Sequence, residues 1–199
     1  VPCERDIPAP KDGEILIKVV AAGVNRPDIL QRQGLYPPPP GVTDIPGLEV
    51  SGIVTELGSE VTHLKVGQRV FGLGEATFAS SALADARYLT PIPAELSFEE
   101  AATIPLVYLT AWYALRDLAN LSSGQAVLIH AAAGGVGMAA VQLAHHIGAE
   151  VFATASQPKW GVLRGLGLAD SHIGSSRDLG FERAFRAVRG DRPIDAVLN

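Results

Sequence analysis

Sulfur is nearly absent from this chain, which has one cysteine, Cys3, and one methionine among 199 residues. A single thiol closes no internal disulfide and completes no four-cysteine zinc site, and such usage fits a reducing, cytoplasmic compartment. Nothing beside Cys3 in sequence would activate it, so it reads as an unreactive surface thiol. Clustered positive charge is also missing. The formal charge is −5, from 16 basic and 21 acidic residues, and there is no dense run of Lys and Arg, so neither nucleic acid nor an anionic membrane is an expected partner. Long apolar runs are lacking too. The apolar stretch at residues 101–115 contains Pro105 and is too short to span a bilayer. The opening VPCERDIPAP is charged and broken by proline, unlike a secretory signal. No Ser/His/Asp grouping supports hydrolysis. The five histidines form no metal set, because His145 and His146 are adjacent on a helix, where neighbouring side chains diverge, and His63, His130 and His172 are scattered. All five read as surface or core residues.

What the chain has in quantity is apolar side chain, 47% of residues, enough to bury the core of one or two domains. Residues 14–22, EILIKVVAA, alternate as a half-buried strand with Ile15, Ile17 and Val19 on one face. Gly23 and Asn25 turn the chain, Pro27 suits a first helical turn, and residues 26–33 form a short helix that Gly34 ends. Four prolines, residues 37–40, then exclude a central strand, so residues 34–41 are expected to be an ordered surface loop holding Tyr36 at a rigid, exposed point. Residues 49–57 and 69–71 read as further strands between glycine turns. The spacing makes residues 1–93 a small β-rich domain. Ser97 and Glu100 form a capping box, and residues 106–119 are expected to run as one long helix into the next domain, residues 94–199.

That second domain is organised around VLIHAAAGGVGMAAVQLAHHIGAEVFATAS, residues 127–156. An apolar run at 127–129 precedes a small-residue loop, and Val136, Ala140, Leu143 and Ile147 then share one helix face. Gly148 ends the helix and a second apolar run follows at 151–153, giving the order and length of a βαβ unit. The loop spells A-x-G-x-x-G. Gly134 lets backbone N–H groups approach a pyrophosphate at the helix N-terminus, Gly137 lets helix and strand approach closely, and Ala132 still permits the tight turn of the first fingerprint glycine. Helices at 159–166 and 180–188 and strands near Ile173 and at 196–198 continue the alternation, giving four parallel strands of a doubly wound sheet.

Cofactor choice is read at the end of the second strand, where NAD-binding units place a carboxylate on the ribose 2′-OH. No acidic residue lies between Val151 and Asp170. Ser156 and Lys159, with Arg177 from the next loop, offer instead a donor and two charges for a 2′-phosphate, so NADPH is the expected cofactor.

The motifs AAGVNRPDILQRQGLYPPPPG, IPGLEVSGIVTELG, VGQRVFG and AAAGGVGMAAVQLA together resemble the medium-chain dehydrogenase/reductase superfamily, in its zinc-free quinone oxidoreductase branch. From about Ala84 the stretches ADARYLTPIP, SFEEAATIPLVYLTAWYAL and FATASQPKW and the ending DAVLN are closer to enoyl reductase domains of modular polyketide synthases. The resemblance implies an α/β protein, with a GroES-like β-rich catalytic domain followed by a Rossmann domain, truncated after its fourth strand. It implies that Asn25 and Tyr36 line the substrate side and that Thr110 approaches the nicotinamide. Ala132, Gly134, Gly135, Val136 and Gly137 would hold the pyrophosphate, Ser156, Lys159 and Arg177 the 2′-phosphate, and Asn199 would lie near the cofactor. Asn25 has a blander reading as a residue that tolerates a left-handed turn, and Tyr36 as packing on the prolines.

In the zinc-dependent branch, cysteine stands at the place of Asn25 and histidine at that of Leu48, so no metal is expected here. The activity implied is hydride transfer from NADPH to an activated double bond, in an enone or a carrier-bound enoyl thioester, or to a quinone, with Tyr36 as the candidate donor at the reacting carbonyl or α-carbon. The rival reading is an NADPH-binding or structural relative without turnover. A lysine and an aspartate implicated as proton donors in polyketide enoyl reductases lie beyond the DAVLN position. Because the chain opens on Val1 and stops after a buried-looking strand, it is expected to be a fragment, marginal alone or associating through that strand's edge. A homodimer or neighbouring synthase domains are the implied partners.

Overall fold

The computed structural model describes residues 4, 6–37, 40, 45–190 and 192–199. Cys3 and much of the proline loop, namely Pro38, Pro39 and Gly41, lie outside the described residues. The chain divides into two compact units, Val1–Leu106 and Val107–Asn199.

Alternation of apolar and polar side chains builds the first unit. In β1 (Glu14–Ala22), Ile15 and Ile17 are fully buried and Val19 packs beside them, as the period of two requires. A short helix, α1 (Arg26–Arg32), leads to β2 (Glu49–Leu57), β3 (Arg69–Leu73), β4 (Ser81–Asp85) and β5 (Leu89–Pro91). These five strands form one antiparallel sheet in the order β4-β1-β2-β3-β5. Val50, Val54, Val70 and Leu89 complete the core against β1. The Ser97 box forms as expected. Its hydroxyl accepts the Glu100 N–H at 3.1 Å, and the Glu100 carboxylate accepts the Ser97 N–H at 2.9 Å, starting α2 (Phe98–Ala102).

The expected long helix over 106–119 is shorter. Regular turns run only over α3 (Pro105–Trp112), and residues 113–118 follow in a wider coil in which the Ala119 N–H reaches the Ala114 carbonyl. Leu115 and Leu121 are both fully buried across this wider stretch.

The second unit consists of β6 (Ala126–Ile129), α4 (Gly135–Ile147), β7 (Glu150–Ala155), α5 (Trp160–Gly165), β8 (Ile173–Ser175), α6 (Gly180–Arg189) and β9 (Ala196–Leu198). All strand pairs are parallel, in the order β8-β7-β6-β9. This is the 3-2-1-4 order of a doubly wound fold, with its switch between β6 and β9. Both faces are covered. Val127 and Ile129 pack with Ala140 and Ala144 of α4, while Leu128 and Phe152 meet Phe185 of α6. Four buried residues in a row make β6 a central strand. Gly148 ends α4 in the left-handed region at φ 85°, as its type suggests.

At the N-terminal end of this sheet Arg189 is buried. Its guanidinium bonds the Glu150 carboxylate and the carbonyls of Arg192 and Pro193, the last at 2.6 Å. His172 lies 3.3 Å from the other Glu150 oxygen and stacks on Phe152. Burial alone would raise the Glu150 carboxyl, but these hydrogen bonds and the arginine charges outweigh it and hold it below the ordinary glutamate range.

Candidate cofactor cavity and substrate-side residues

At the other end of the parallel sheet, the strand C-termini open into a cavity of about 740 Å³, within the usual size of ligand clefts, about 300–1,000 Å³. The turn after β6 shapes its floor. Ala131 takes φ 48°, a left-handed conformation uncommon outside glycine, so the strain of the tight turn falls one residue before Ala132. Ala132 is fully buried and its N–H is spent on the Thr154 carbonyl, 3.0 Å away. A Cβ on Gly137 would stand 2.5 Å from the Ala131 oxygen and 2.6 Å from the Ala132 Cα, so only glycine lets α4 start this close to the turn. Gly134 caps α4 in extended geometry.

Of the residues singled out from sequence, the cavity brings together Gly134, Ser156, Lys159, Arg177 and Asn199. Lys159 follows Ser156 in a tight turn closed by its own N–H on the Ser156 carbonyl at 2.9 Å, and Trp160 anchors that turn through Nε1 to the Ala155 carbonyl at 3.1 Å. Arg177 follows β8, its N–H on Ser175 Oγ. Lys159 and Arg177 are exposed, and neither has a carboxylate within 4.0 Å among the described residues. Ala132, Gly135, Val136, Gly137 and Thr110 do not line the cavity. Thr110 is exposed on α3, while Gly135 and Val136 open α4.

Two further titratable residues line the cavity, neither singled out as a site residue from sequence. His130, read there as surface or core, lines the cavity at the end of β6, with Nδ1 2.7 Å from the fully buried Thr154 Oγ1 and its ring edge-on to Phe181 at 5.6 Å. Asp178 also lines the cavity, its carboxylate accepting the Gly180 N–H at 2.8 Å where α6 begins. Only alternation could have flagged His130, since it shares the Leu128 face of β6 and directly precedes the glycine turn.

In the first unit, Asn25 starts α1 at φ −116°, extended rather than left-handed, which removes the blander sequence reading. Its backbone N–H bonds Asp28 Oδ2 at 2.8 Å and its Nδ2 donates to Glu49 Oε1 at 2.7 Å. Glu49 is 2% exposed, and its second oxygen accepts the Leu106 N–H at 2.9 Å. Asp28, equally buried, also accepts the Gly47 N–H at 2.8 Å. Tyr36 stands in a bend after α1, 51% exposed, with no hydrogen bond or ring contact among the described residues. Position 48, a leucine, offers no ligand beside Asn25, and no group of three metal-ligating side chains occurs among the described residues. No helix of the described residues is long and apolar enough to cross a membrane.

Comparison with known proteins agrees with this architecture. Residues 11–94 match the alcohol dehydrogenase GroES-like domain. The chain is 50% identical over 187 residues to pikromycin polyketide synthase component PikAII of Streptomyces venezuelae, covering 94% of this chain and 5% of that protein. Among solved structures it resembles CurK enoyl reductase, at TM-score 0.89 and 39% identity, over 100% of this chain and 61% of that one. It also resembles mycobacterial quinone oxidoreductase Rv154c, at TM-score 0.83 and 32% identity, over 98% of this chain and 60% of that one. Mycobacterial Rv1454c complexed with NADPH matches at TM-score 0.82 and 32% identity, over 98% and 61%. The chain thus spans about one twentieth of the synthase and three fifths of these solved chains. With a GroES-like sheet, a doubly wound parallel sheet and a glycine turn at its switch point, it belongs to the medium-chain dehydrogenase/reductase superfamily, in the branch of the enoyl reductases and quinone oxidoreductases.

Proposed function

We propose that this chain binds NADPH and serves reduction of an activated carbon–carbon double bond, in an enone or an enoyl thioester held on a carrier, with quinones as the related acceptor class. The observation that supports it most is a pair of cations, Lys159 and Arg177, with no carboxylate within 4.0 Å among the described residues, at the C-terminal end of a doubly wound sheet beside a glycine turn. NADPH supplies the hydride when bound. The chain's own residues bind and orient. Gly134 and the α4 N-terminus meet the pyrophosphate, and Ser156, Lys159 and Arg177 meet the 2′-phosphate. Asp178 in the same cavity opposes that phosphate, so the preference over NADH lies near the lower end, about tenfold, of what one or two charge-assisted bonds allow.

On the substrate side, the Tyr36 hydroxyl donates to the carbonyl oxygen on which charge develops, or delivers the proton to the α-carbon. Asn25 keeps a second Nδ2 hydrogen for a substrate oxygen, its first being held by Glu49. Neighbouring synthase domains, as in the polyketide synthases, are the partners that fit a carrier-bound substrate.

The test is NADPH oxidation over a panel of enones, enoyl thioesters and quinones. Consumption supports the reductase. Tight binding without consumption would favour a nucleotide-binding relative instead. Tyr36→Phe is expected to lower kcat at least about tenfold with cofactor affinity unchanged, the order of losing acid catalysis. Unchanged turnover at saturating substrate would remove Tyr36 from the chemistry.

A further inference from the structure

We infer that His130 is a cofactor-contacting residue that presents a neutral Nε2–H donor to the sugar–phosphate chain shared by NADPH and NADH. This rests on the cavity being the dinucleotide site. The argument starts from Thr154, which is fully buried, and whose hydroxyl has His130 Nδ1 as its hydrogen-bond partner, at 2.7 Å. A buried hydroxyl needs an acceptor for its proton. If Nδ1 carried the hydrogen, that hydroxyl proton would be stranded, so the Thr154 hydroxyl donates, Nδ1 accepts, and the imidazole proton sits on Nε2.

Two further contacts position the residue. Phe181 meets the ring edge-on at 5.6 Å, and the His130 backbone N–H donates to the Leu198 carbonyl at 2.8 Å, across the switch between β6 and β9, which holds the residue's main chain. Nε2 has no hydrogen-bond partner among the described residues, and His130 lines the cavity beside the small residues of the turn, Ala131, Ala133 and Gly134. Position then decides which part of the ligand is read. His130 lies at the end of β6, where the glycine turn begins, whereas Ser156 and Lys159 follow the end of β7. The donor therefore serves the part common to both dinucleotides, and Lys159 serves the 2′-phosphate alone.

Dissociation constants for NADPH and NADH, measured on the unmodified chain and on His130→Phe, His130→Gln and Lys159→Ala, test this. His130→Phe keeps the ring packing and removes both nitrogens. It is expected to weaken both dinucleotides by the same factor, about three- to tenfold for one neutral hydrogen bond, leaving their ratio unchanged. His130→Gln restores an amide donor and should recover most of the loss, while Lys159→Ala changes the ratio. Equal affinities in His130→Phe and the unmodified chain, or a loss confined to NADPH, would overturn the inference. If the unmodified chain bound neither dinucleotide, the dinucleotide site itself would fall. Imidazole 15N shifts of the free chain separate the two failures, because a hydrogen found on Nδ1 overturns the inference whether or not any nucleotide binds.

Discussion

The two ends of the parallel sheet treat their charges in opposite ways. At the N-terminal end Arg189 is buried and its guanidinium is occupied by Glu150 and two backbone carbonyls. At the C-terminal end Lys159 and Arg177 line a cavity and have no carboxylate within ion-pair distance among the described residues, where His130 Nε2 also has no hydrogen-bond partner. A buried charge must be satisfied by its own chain, whereas hydrated cations at the mouth of a cavity stay available to a ligand. The first unit repeats the closed pattern: Asp28 and Glu49 are buried under the Asn25 loop with their oxygens taken by N–H donors. The same residue types thus mean different things at different ends, and variants at each end should separate stability from ligand affinity.

The largest effect is expected at Arg189. Arg189→Met leaves Glu150 without its guanidinium and two carbonyls without donors. It should cost about 3 kcal/mol, the lower end of the range for breaking a buried pair, because Glu150 keeps some contact with water. Denaturant unfolding would show it, with nucleotide affinity of the folded fraction unchanged. Next, Asp28→Ala strands the N–H groups of Asn25 and Gly47 and should cost about 2 kcal/mol, read in the same way. A loss of nucleotide affinity from either variant would break the separation between folding charges and binding charges.

The acid limb of stability gives a smaller, signed test. The Glu150 carboxyl is lower in the folded chain than its ordinary value of 4.5. Its contribution is therefore complete above that value and is lost as pH falls through the lower folded one. Glu150→Gln should flatten stability against pH below about 4.5, relative to the unmodified chain. An unchanged acid limb would mean that the Arg189 cluster carries no pH dependence.

How much of this was legible beforehand depends on how local the cause is. The β6–α4–β7 unit could be read because its apolar period, small-residue turn and Gly148 stop are all set within thirty residues. β4 and β5 were not, since SALAD and LTP are short, alanine-containing or proline-ended, and become strands only by pairing with β1 and β3. The widening after Trp112 was hidden because residues 106–115 are almost all apolar and no period marks where the coil changes. Within the cavity, Ser156 and Lys159 were readable from their distance beyond the fingerprint. His130 and Asp178 were not, because His130 depends on Thr154, 24 residues away, and Asp178 on where α6 begins.

The central claim, that the open end of the parallel sheet is a site for a 2′-phosphorylated dinucleotide, is tested most directly by dissociation constants for NADPH and NADH measured side by side at low and moderate salt. The account predicts NADPH tighter by about tenfold, roughly 1.4 kcal/mol, with the margin narrowing as salt rises and most of it erased by Lys159→Ala. Equal constants for the two dinucleotides, or tighter binding of NADH, would contradict it.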